Sequence, residues 1–399
     1  MDNTFDWLQL PVEVWLKIFE YLDLPNFLKA TEVCQTFSSI IGTSNKLINK
    51  IRLSIDFDAK KKDDFVRILQ SSQRQYTIIS MKNSSENNKE LEAIQIMTKF
   101  DSSLKELSLE DYTGSTEAST CHLPNLKKLT LLSCDKQWMN FFSNCNKLTF
   151  LNIKNRLRYT IEDEYFANFL LKQTCLKDLV ISGEINQLLK KGISNELPFK
   201  LNKLSINGDI SFTDLKTSLK FFETQNQLQE VKISDVWWFA IENKKIFNEI
   251  FLKSTQLKTV EFTSELTFLS SYTNFLNGDF THYGVEKLSF KYIHYTILFY
   301  ILNRLFIVLA QLFPNVKYFC LKEMNDLPIA HISCQCIYDV FPLIESLTIS
   351  QMANVNASVK VFCQKLTKLK SLKMSKTNYD QISAKTKVEC QRAGVTISF

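Results

Sequence analysis

Glycine and proline are scarce in this sequence, with 8 and 7 copies among 399 residues. An all-β sandwich or barrel needs a tight turn every few residues, so this scarcity disfavours both folds. Histidine is rarer still, with 4 copies, and the chain has no glycine-rich phosphate loop and no Gly-x-Ser-x-Gly elbow. We therefore predict that the chain is not an enzyme and has no catalytic residues.

The sequence also lacks a long apolar run. Its most apolar stretch, residues 297–313, is interrupted by Asn303, Arg304 and Gln311, whereas a helix that spans a bilayer needs about 20 apolar residues. The acidic start of the chain does not have the basic-then-apolar order of a secretory signal. We expect a soluble protein of the cytoplasm and/or nucleus, with no membrane partner.

Charge is unevenly distributed. Residues 1–45 carry six acidic and two basic side chains, a net charge of −4, whereas the whole chain carries +6. The remaining residues therefore carry an excess of ten positive charges. Over more than 350 residues this is a mild bias and not the footprint of nucleic-acid binding, so we expect no nucleic-acid partner.

Ten cysteines are scattered along the chain. Without a secretion signal, we predict that they are reduced residues of the core and not a disulfide framework. His331, Cys334 and Cys336 form a His-x-x-Cys-x-Cys group that could give three ligands to zinc. A structural zinc site needs four ligands, usually from paired knuckles, and no partner pair is nearby. We favour the alternative, in which these residues begin a helix and the cysteines are reduced thiols. We therefore predict neither a metal nor a cofactor.

Apolar residues at helical spacing dominate the first 45 residues. Pro11 can occupy the first turn of a helix, and Leu24 before Pro25 marks its end, because a residue that precedes proline avoids the helical region. A second helical stretch runs from Pro25 to Gly42. About 40 residues cannot bury all of this apolar surface. The helices therefore either cap the chain that follows or reserve the surplus for a partner.

Several apolar residues and pairs stand in a characteristic order and spacing: Leu10-Pro11, Glu13-Val14, Ile18-Phe19, Tyr21-Leu22, Leu24-Pro25, Leu28, Val33-Cys34 and Phe37. This order and spacing resemble the consensus of the F-box family, and the resemblance favours the interpretation that the surplus apolar surface is reserved for a partner. An F-box is a three-helix module that binds the Skp-type adaptor of cullin–RING ubiquitin ligases. Two positions depart from the family: Phe37 stands where tryptophan is frequent, and Trp15 where an aliphatic residue is commoner. The resemblance implies that the adaptor-binding residues are Leu10, Pro11, Val14, Ile18, Phe19, Leu22, Leu24, Leu28, Val33, Cys34 and Phe37.

From residue 104 onward one apolar pattern recurs eleven times: an apolar residue, two others, an apolar residue, one other, an apolar residue. The first copy is Leu104, Leu107 and Leu109. Successive copies lie 22 to 31 residues apart, near the period of about 20–29 of leucine-rich repeats. Each copy predicts a strand that hides its apolar face only by stacking on its neighbours. Helices are predicted between strands at residues 162–172, 212–224, 241–253, 294–312 and 380–392.

Taken together, the two patterns resemble the leucine-rich-repeat class of F-box proteins over nearly the whole chain. We predict an α/β fold: all-α F-box helices at residues 1–45, a linker with irregular opening repeats at residues 46–100, and leucine-rich repeats at residues 101–399. Residues 395–397 are predicted to form a closing strand. The repeats should form a curved solenoid with parallel strands on its concave side and helices on its convex side.

Residues between the core positions of each strand are predicted to point out of the concave face, because side chains alternate along a strand. Acidic residues at these outward positions stop at Glu261, whereas lysines continue. We hypothesise that the C-terminal half of the concave face attracts an acidic or phosphorylated target segment, with Tyr318 as an anchor. The alternative is that the lysines only keep an exposed sheet soluble. The lysines concerned are Lys287, Lys291, Lys322 and Lys373.

Trp237 and Trp238 directly follow one predicted strand. One of the two is predicted either to contact the target or to pack under a loop. Residues 266–283 form a longer, more polar segment that could fold toward the concave face.

The family resemblance implies a non-catalytic substrate-recognition subunit of a cullin–RING ligase of the Skp/cullin/F-box type. The alternative is a scaffold that binds partners without targeting them for degradation.

Overall fold

Parallel strands recur along the chain at the positions of the apolar repeat, after four N-terminal helices. The structure is a computed structural model, and it describes residues 10–48, 51–57, 62–72, 74–83, 89–113, 120–135, 137–154, 168–182, 197–207, 223–234, 244–265, 280–293, 299–323, 331–350 and 352–399. The described residues fall into two compact units. The first comprises Met1–Leu157 with Asn168–Leu176, and the second Arg158–Ala167 with Lys177–Phe399.

The N-terminal helices belong to the first unit and are α1 (Val12–Tyr21), α2 (Leu24–Val33), α3 (Gln35–Thr43) and α4 (Asn45–Ile48). Asp23 caps α2, because its Oδ1 accepts a hydrogen bond from Asn26 N at 3.0 Å.

The single helical stretch predicted from Pro25 to Gly42 is wrong, because the chain leaves the helical region at Cys34. This residue has extended backbone angles, φ −159° and ψ 165°. Its sulfur accepts from Phe37 N at 3.5 Å and thereby caps α3. Gly42 lies inside α3 and does not end it. A Cβ atom at Gly42 would lie 3.2 Å from Nε of Arg74, so the glycine leaves room for the arginine side chain.

Five parallel strands complete the first unit. They pair in sequence order, so that each strand bonds to the next. The opening strands predicted before residue 100 are present as the first two, in register with the third. The elements are β1 (Arg52–Asp56), α5 (Lys62–Ser71), β2 (Ile78–Lys82), α6 (Glu90–Lys99), β3 (Glu106–Glu110), β4 (Lys128–Leu132), α7 (Gln137–Phe141) and β5 (Phe150–Lys154).

The second unit repeats this arrangement with nine parallel strands, again paired in sequence order. The last strand confirms the closing strand predicted at residues 395–397. The elements are β6 (Asp178–Ser182), β7 (Lys203–Asn207), β8 (Glu230–Ser234), α8 (Lys244–Lys253), β9 (Thr259–Glu265), β10 (Lys287–Ile293), α9 (Phe299–Leu312), β11 (Tyr318–Glu323), α10 (His331–Val340), β12 (Ser346–Ile349), α11 (Val355–Lys365), β13 (Ser371–Met374), α12 (Lys376–Asp380), α13 (Ala384–Arg392) and β14 (Thr396–Ser398).

A recurring backbone clamp sets the register of successive strands. Two consecutive N–H groups at the start of a strand donate to one carbonyl of the preceding repeat. Lys317 N and Tyr318 N both bond to Glu286 O, at 2.8 and 2.9 Å, and Glu345 N and Ser346 N both bond to Lys317 O, at 2.8 and 3.0 Å. The same pair of bonds begins β3, β4, β5, β7, β8, β9, β10 and β13.

Alternation along each strand separates a buried side from an exposed side. In β4, Leu129 and Leu131 are buried, whereas Lys128, Thr130 and Leu132 are not. Phenylalanines of the helices cover the buried side: Phe251 of α8 lies 6.4 Å from Phe262 of β9, between ring centroids, and Phe306 of α9 packs against β11. The predicted α/β fold class, with N-terminal helices and then strand-plus-helix repeats, is confirmed.

Three of the predicted inter-strand helices are present as α8, α9 and α13. The helices predicted at residues 162–172 and 212–224 lie largely outside the described residues.

The nine described cysteines are free thiols. Cys175 is exposed, so not every cysteine is a core residue. Cys121, Cys145 and Cys390 are buried and fit the prediction, and burial raises the pKa of the Cys145 thiol to about 11.

A buried glutamine joins two repeats of the second unit. Gln225 occupies a position before β8 where later repeats carry Phe313 and Phe341, and it is fully buried. Its Oε1 accepts from Leu201 N at 2.8 Å, and its Nε2 donates to Phe199 O at 3.4 Å. The side chain thus satisfies one donor and one acceptor of the neighbouring backbone that have no access to water.

We expect Gln225→Ala to lower the free energy of unfolding of the second unit by about 2 kcal/mol, because two buried backbone groups lose their partner. Chemical denaturation of the full chain measures this change. Gln227→Ala is the matched control, since Gln227 is exposed in the same turn and its loss should cost less than about 0.5 kcal/mol. Equal effects of the two substitutions would contradict this account of Gln225.

Candidate functional site

The N-terminal helices enclose a small core of their own. Phe19 is 1% exposed and is buried with Phe27, Ala30, Ile41 and Leu47. Against this core pack several half-buried residues, among them Trp15, Leu22 and Phe37.

The two departures from the family consensus contact each other in this core. The ring centroids of Trp15 and Phe37 are 4.3 Å apart, and Phe19 lies 5.6 Å from Trp15 and 5.1 Å from Phe37. The large ring of Trp15 therefore packs beside the smaller ring of Phe37. Both positions stay within a packed aromatic cluster.

The remaining apolar residues of α1 and α2 form a different, exposed group. Ile18 is 38% exposed and Val33 68%. Val14, Ile18 and Tyr21 follow at intervals of four and three residues, so they share one face of α1. Tyr21 was not among the predicted adaptor-binding residues, although it fits the family consensus. Val12 is also exposed, but it lies about 200° around the helix from Val14 and so faces another way. We call the following exposed residues the docking surface: Pro11, Val14, Ile18, Tyr21, Leu28 and Val33.

The predicted adaptor-binding residues thus fall into two groups that the sequence could not separate. Five of them belong to the docking surface: Pro11, Val14, Ile18, Leu28 and Val33. Phe19 is a core residue, and Leu22 and Phe37 pack against that core, whereas Leu10 and Cys34 are half-buried. The side chain of Leu24 lies outside the described residues.

We expect Phe19→Ala to unfold the N-terminal helices, because truncation of a buried phenylalanine costs about 3–5 kcal/mol. Ile18→Ala, one residue away, should leave them folded, since a surface truncation changes stability by about 0.5 kcal/mol. Hydrogen exchange of the full chain, followed by mass spectrometry of peptides from residues 12–48, measures both. Loss of protection in Ile18→Ala alone would contradict the division into core and surface.

The comparisons with known proteins agree with this geometry at the N-terminus. Residues 7–54 match the model of the F-box-like family. The N-terminal helices are an F-box-like domain. Strand-plus-helix repeats with the spacing of leucine-rich repeats follow this domain.

Among solved structures, the chain is similar to the crystal structure of the leucine-rich repeat-containing protein LegL7 from Legionella pneumophila. The identity is 12% and the TM-score 0.44, over 80% of this chain and 89% of that chain. No curated protein matches the sequence.

The exposed sheet face of the second unit carries a network of opposite charges across β7 to β10. Glu230 Oε2 lies 3.3 Å from Lys203 Nζ, and Lys232 Nζ lies 3.5 Å from carboxylate oxygens of Glu230 and Glu261. Glu261 Oε1 in turn lies 2.6 Å from Lys291 Nζ. Three lysines and two glutamates on four strands are therefore linked in one chain of ion pairs.

Glu261 is the centre of this network. Burial opposes its ionisation, but the hydrogen bond from Lys291 and the charges of Lys232 and Lys291 outweigh that effect, so the pKa of Glu261 lies below its ordinary value. Lys291, one of the four lysines of the target hypothesis, is thus engaged by an acid of the same face.

The other predicted target-binding residues have different surroundings. Lys287, Lys322 and Lys373 are exposed, and within the described part of the chain none of them takes part in an ion pair. Tyr318 is 45% exposed. Trp237 and Trp238 lie outside the described residues, as does most of the segment 266–283. The target-binding role of all of these residues stays a prediction.

The metal hypothesis concerned the start of α10. The predicted helix start is present, since α10 begins at His331, and Cys336 Sγ lies 3.5 Å from Asn303 O. The side chains of His331 and Cys334 lie outside the described residues. Among the side chains that are described, no group of three or more His, Cys, Asp or Glu residues could hold a metal ion. The described helices include none that is long and apolar enough to cross a membrane.

We expect Glu261→Gln to destabilise the second unit at pH 7 by about 1 kcal/mol, because two lysines lose their counter-charge. The pKa of Glu261 is lowered on folding, so its contribution is present above the pKa of the unfolded chain and disappears as the pH falls through the folded pKa. Thermal unfolding from pH 7 to pH 3 should therefore show a difference from the wild type that shrinks in acid. A constant difference would contradict an ionic origin.

Proposed function

We propose that this protein is a non-catalytic substrate-recognition subunit of a cullin–RING ubiquitin ligase of the Skp/cullin/F-box type. Its F-box-like domain docks on the Skp-type adaptor, and its leucine-rich repeats hold a target protein. The observation that carries the proposal is the docking surface on α1 and α2, within a domain of the F-box-like family. F-box domains generally bind adaptors of this type.

Physical arguments support the docking role of this surface. The F-box-like domain already has a closed core around Phe19 and Phe27, so its fold does not need the exposed side chains. Apolar residues that a fold leaves exposed in one group commonly mark a protein interface. A partner that covers Ile18 and Val33 would remove apolar surface from water, which is the main driving force of association.

The chemistry of the repeats supports a binding role and not a catalytic one. The acids and lysines of the network around Glu261 lie on an exposed sheet face, where they pair with one another. Catalytic groups would instead need to converge in a pocket that excludes water. In the proposed complex a separate enzyme supplies the ubiquitin chemistry. We place this complex in the cytoplasm and/or nucleus.

We expect the double variant Ile18→Asp, Val33→Asp to lose adaptor binding by at least about 100-fold, because two desolvated contacts of roughly 2 kcal/mol each are replaced by buried charge. Titration of the purified full chain with a purified Skp-type adaptor measures the affinity. Ile68→Asp, Leu91→Asp is the matched control, since both residues are exposed apolar side chains of α5 and α6 in the same unit.

Normal binding by the first variant, or equal loss in both variants, would overturn the docking surface. Hydrogen exchange should show that the domain of each variant stays folded.

The role in degradation needs a separate measurement. Partners captured by the intact protein should become more abundant in cells that carry the Ile18, Val33 variant, and unchanged abundance would leave a scaffold that binds without degradation.

A further inference from the structure

Two cysteines of neighbouring repeats face each other between α11 and α13. The Sγ atom of Cys363 donates a hydrogen bond to the Sγ atom of Cys390, and the two sulfur atoms are 2.7 Å apart. A disulfide bond has a length of about 2.05 Å, so the sulfur atoms need to approach by less than about 1 Å to form one. Both residues are free thiols in this structure.

The positions of the two thiols follow from the repeat itself. They are 27 residues apart, and so are Asn356 and Ser383 at the other end of the same helix pair. Asn356 Oδ1 accepts from Ser383 N at 2.8 Å, and Lys360 Nζ lies 3.5 Å from an oxygen of Glu389. These contacts hold α11 beside α13 independently of the sulfur atoms, so the fold has already brought the thiols together.

The two thiols differ in their access to solvent. Cys390 is fully buried, whereas Cys363 is half-buried and precedes the exposed residues Gln364 and Lys365. A reagent in solution can therefore reach Cys363, and Cys390 can be reached through Cys363. Such an arrangement has one thiol for the first attack and a second thiol that resolves the product.

The surroundings of the pair do not stabilise a thiolate. Burial raises the pKa of the Cys363 thiol and that of the Cys390 thiol above the ordinary value, so both are protonated near pH 7. Because the thiolate is the nucleophile, this protonation slows the reaction with an oxidant. A stabilised thiolate favours the reduced form of a thiol pair, and its absence at these two residues leaves the oxidised form favoured at equilibrium.

We propose that Cys363 and Cys390 are a redox-modification site, at which a low-molecular-weight disulfide such as glutathione disulfide forms a reversible bond between the two repeats. The Cys363 thiolate attacks one sulfur of glutathione disulfide, which gives a mixed disulfide and one glutathione thiolate. The Cys390 thiolate then attacks the Cys363 sulfur and releases the second glutathione. The two protons that the cysteines give up are taken by the two glutathione thiolates.

The bond would tie the repeat that contains β14 to the repeat before it. Among the described strands, β14 pairs with β13 alone, and Val395 N at its start donates to Cys390 O at 2.9 Å. A repeat with a single neighbour has fewer contacts to keep it closed. A disulfide between α11 and α13 encloses β13 and α12 in one covalent loop, so it restricts the opened chain more than the folded one.

The test uses the full chain, equilibrated at about pH 8 with about a tenfold excess of reduced over oxidised glutathione. After the remaining thiols are alkylated, trypsin releases residues 361–365 and 388–392 as peptides with one cysteine each. Mass spectrometry should find these two peptides joined in most molecules, and dithiothreitol should separate them. In concentrated urea, where all ten cysteines compete, the joined pair should be at least about tenfold less abundant.

The variant Cys390→Ser should leave the peptide of residues 361–365 as a free thiol or a glutathione adduct. Cys175→Ser is the matched control, since Cys175 is an exposed thiol, and it should leave the amount of joined peptide unchanged. Separate peptides in the native chain, or equal joining in the native chain and in urea, would overturn the site.

Hydrogen exchange of residues 371–398 tests the effect of the bond on the repeats. These residues should exchange at least about tenfold more slowly in the oxidised wild type than in the reduced wild type, because opening of the β14 repeat becomes rarer. Cys363→Ser should exchange at one rate in both glutathione buffers. Equal exchange in the two states of the wild type would overturn the stapling role. Neither measurement involves an adaptor or a target, so both outcomes are independent of the proposed function.

Discussion

The backbone clamp between repeats is the constraint on which the other features depend. Two successive N–H groups donate to one carbonyl of the preceding repeat, as those of Lys317 and Tyr318 do to Glu286 O. These backbone bonds set the register of the strand without any contribution from side chains. A shift by one residue would turn every leucine of a strand to the exposed face. The clamp therefore decides both which residues form the core and which form continuous rows on the face.

The apolar repeat predicted the strands well, because burial of Leu129 and Leu131 demands an alternation that is visible in the sequence. It could not predict the break at Cys34. Apolar residues continue at helical spacing on both sides of that residue, no proline or glycine marks it, and the cap is a weak sulfur acceptor. The buried Gln225 was equally invisible, since a lone glutamine is ordinarily a surface residue and its partners are backbone groups of another repeat.

Within the F-box-like domain, the family pattern named the apolar positions but could not sort them into core and surface. Ile18 and Phe19 are neighbours in sequence, yet one is exposed and the other buried. The difference arises from α3, which places Phe37 against Trp15 and Phe19 and so closes one side of α1. The two departures from the consensus are thus part of the packing that leaves the other side of α1 open.

On the sheet face, the sequence pattern predicted that four lysines act as one group. The strand register separates one of them from the other three. Lys291 reaches Glu261 on the neighbouring strand, whereas Lys287, Lys322 and Lys373 have no such neighbour among the described residues. The docking surface and the predicted target-binding lysines therefore differ in their physics. Ionic screening does not weaken the burial of apolar surface, whereas it does weaken the attraction of exposed lysines for an anion.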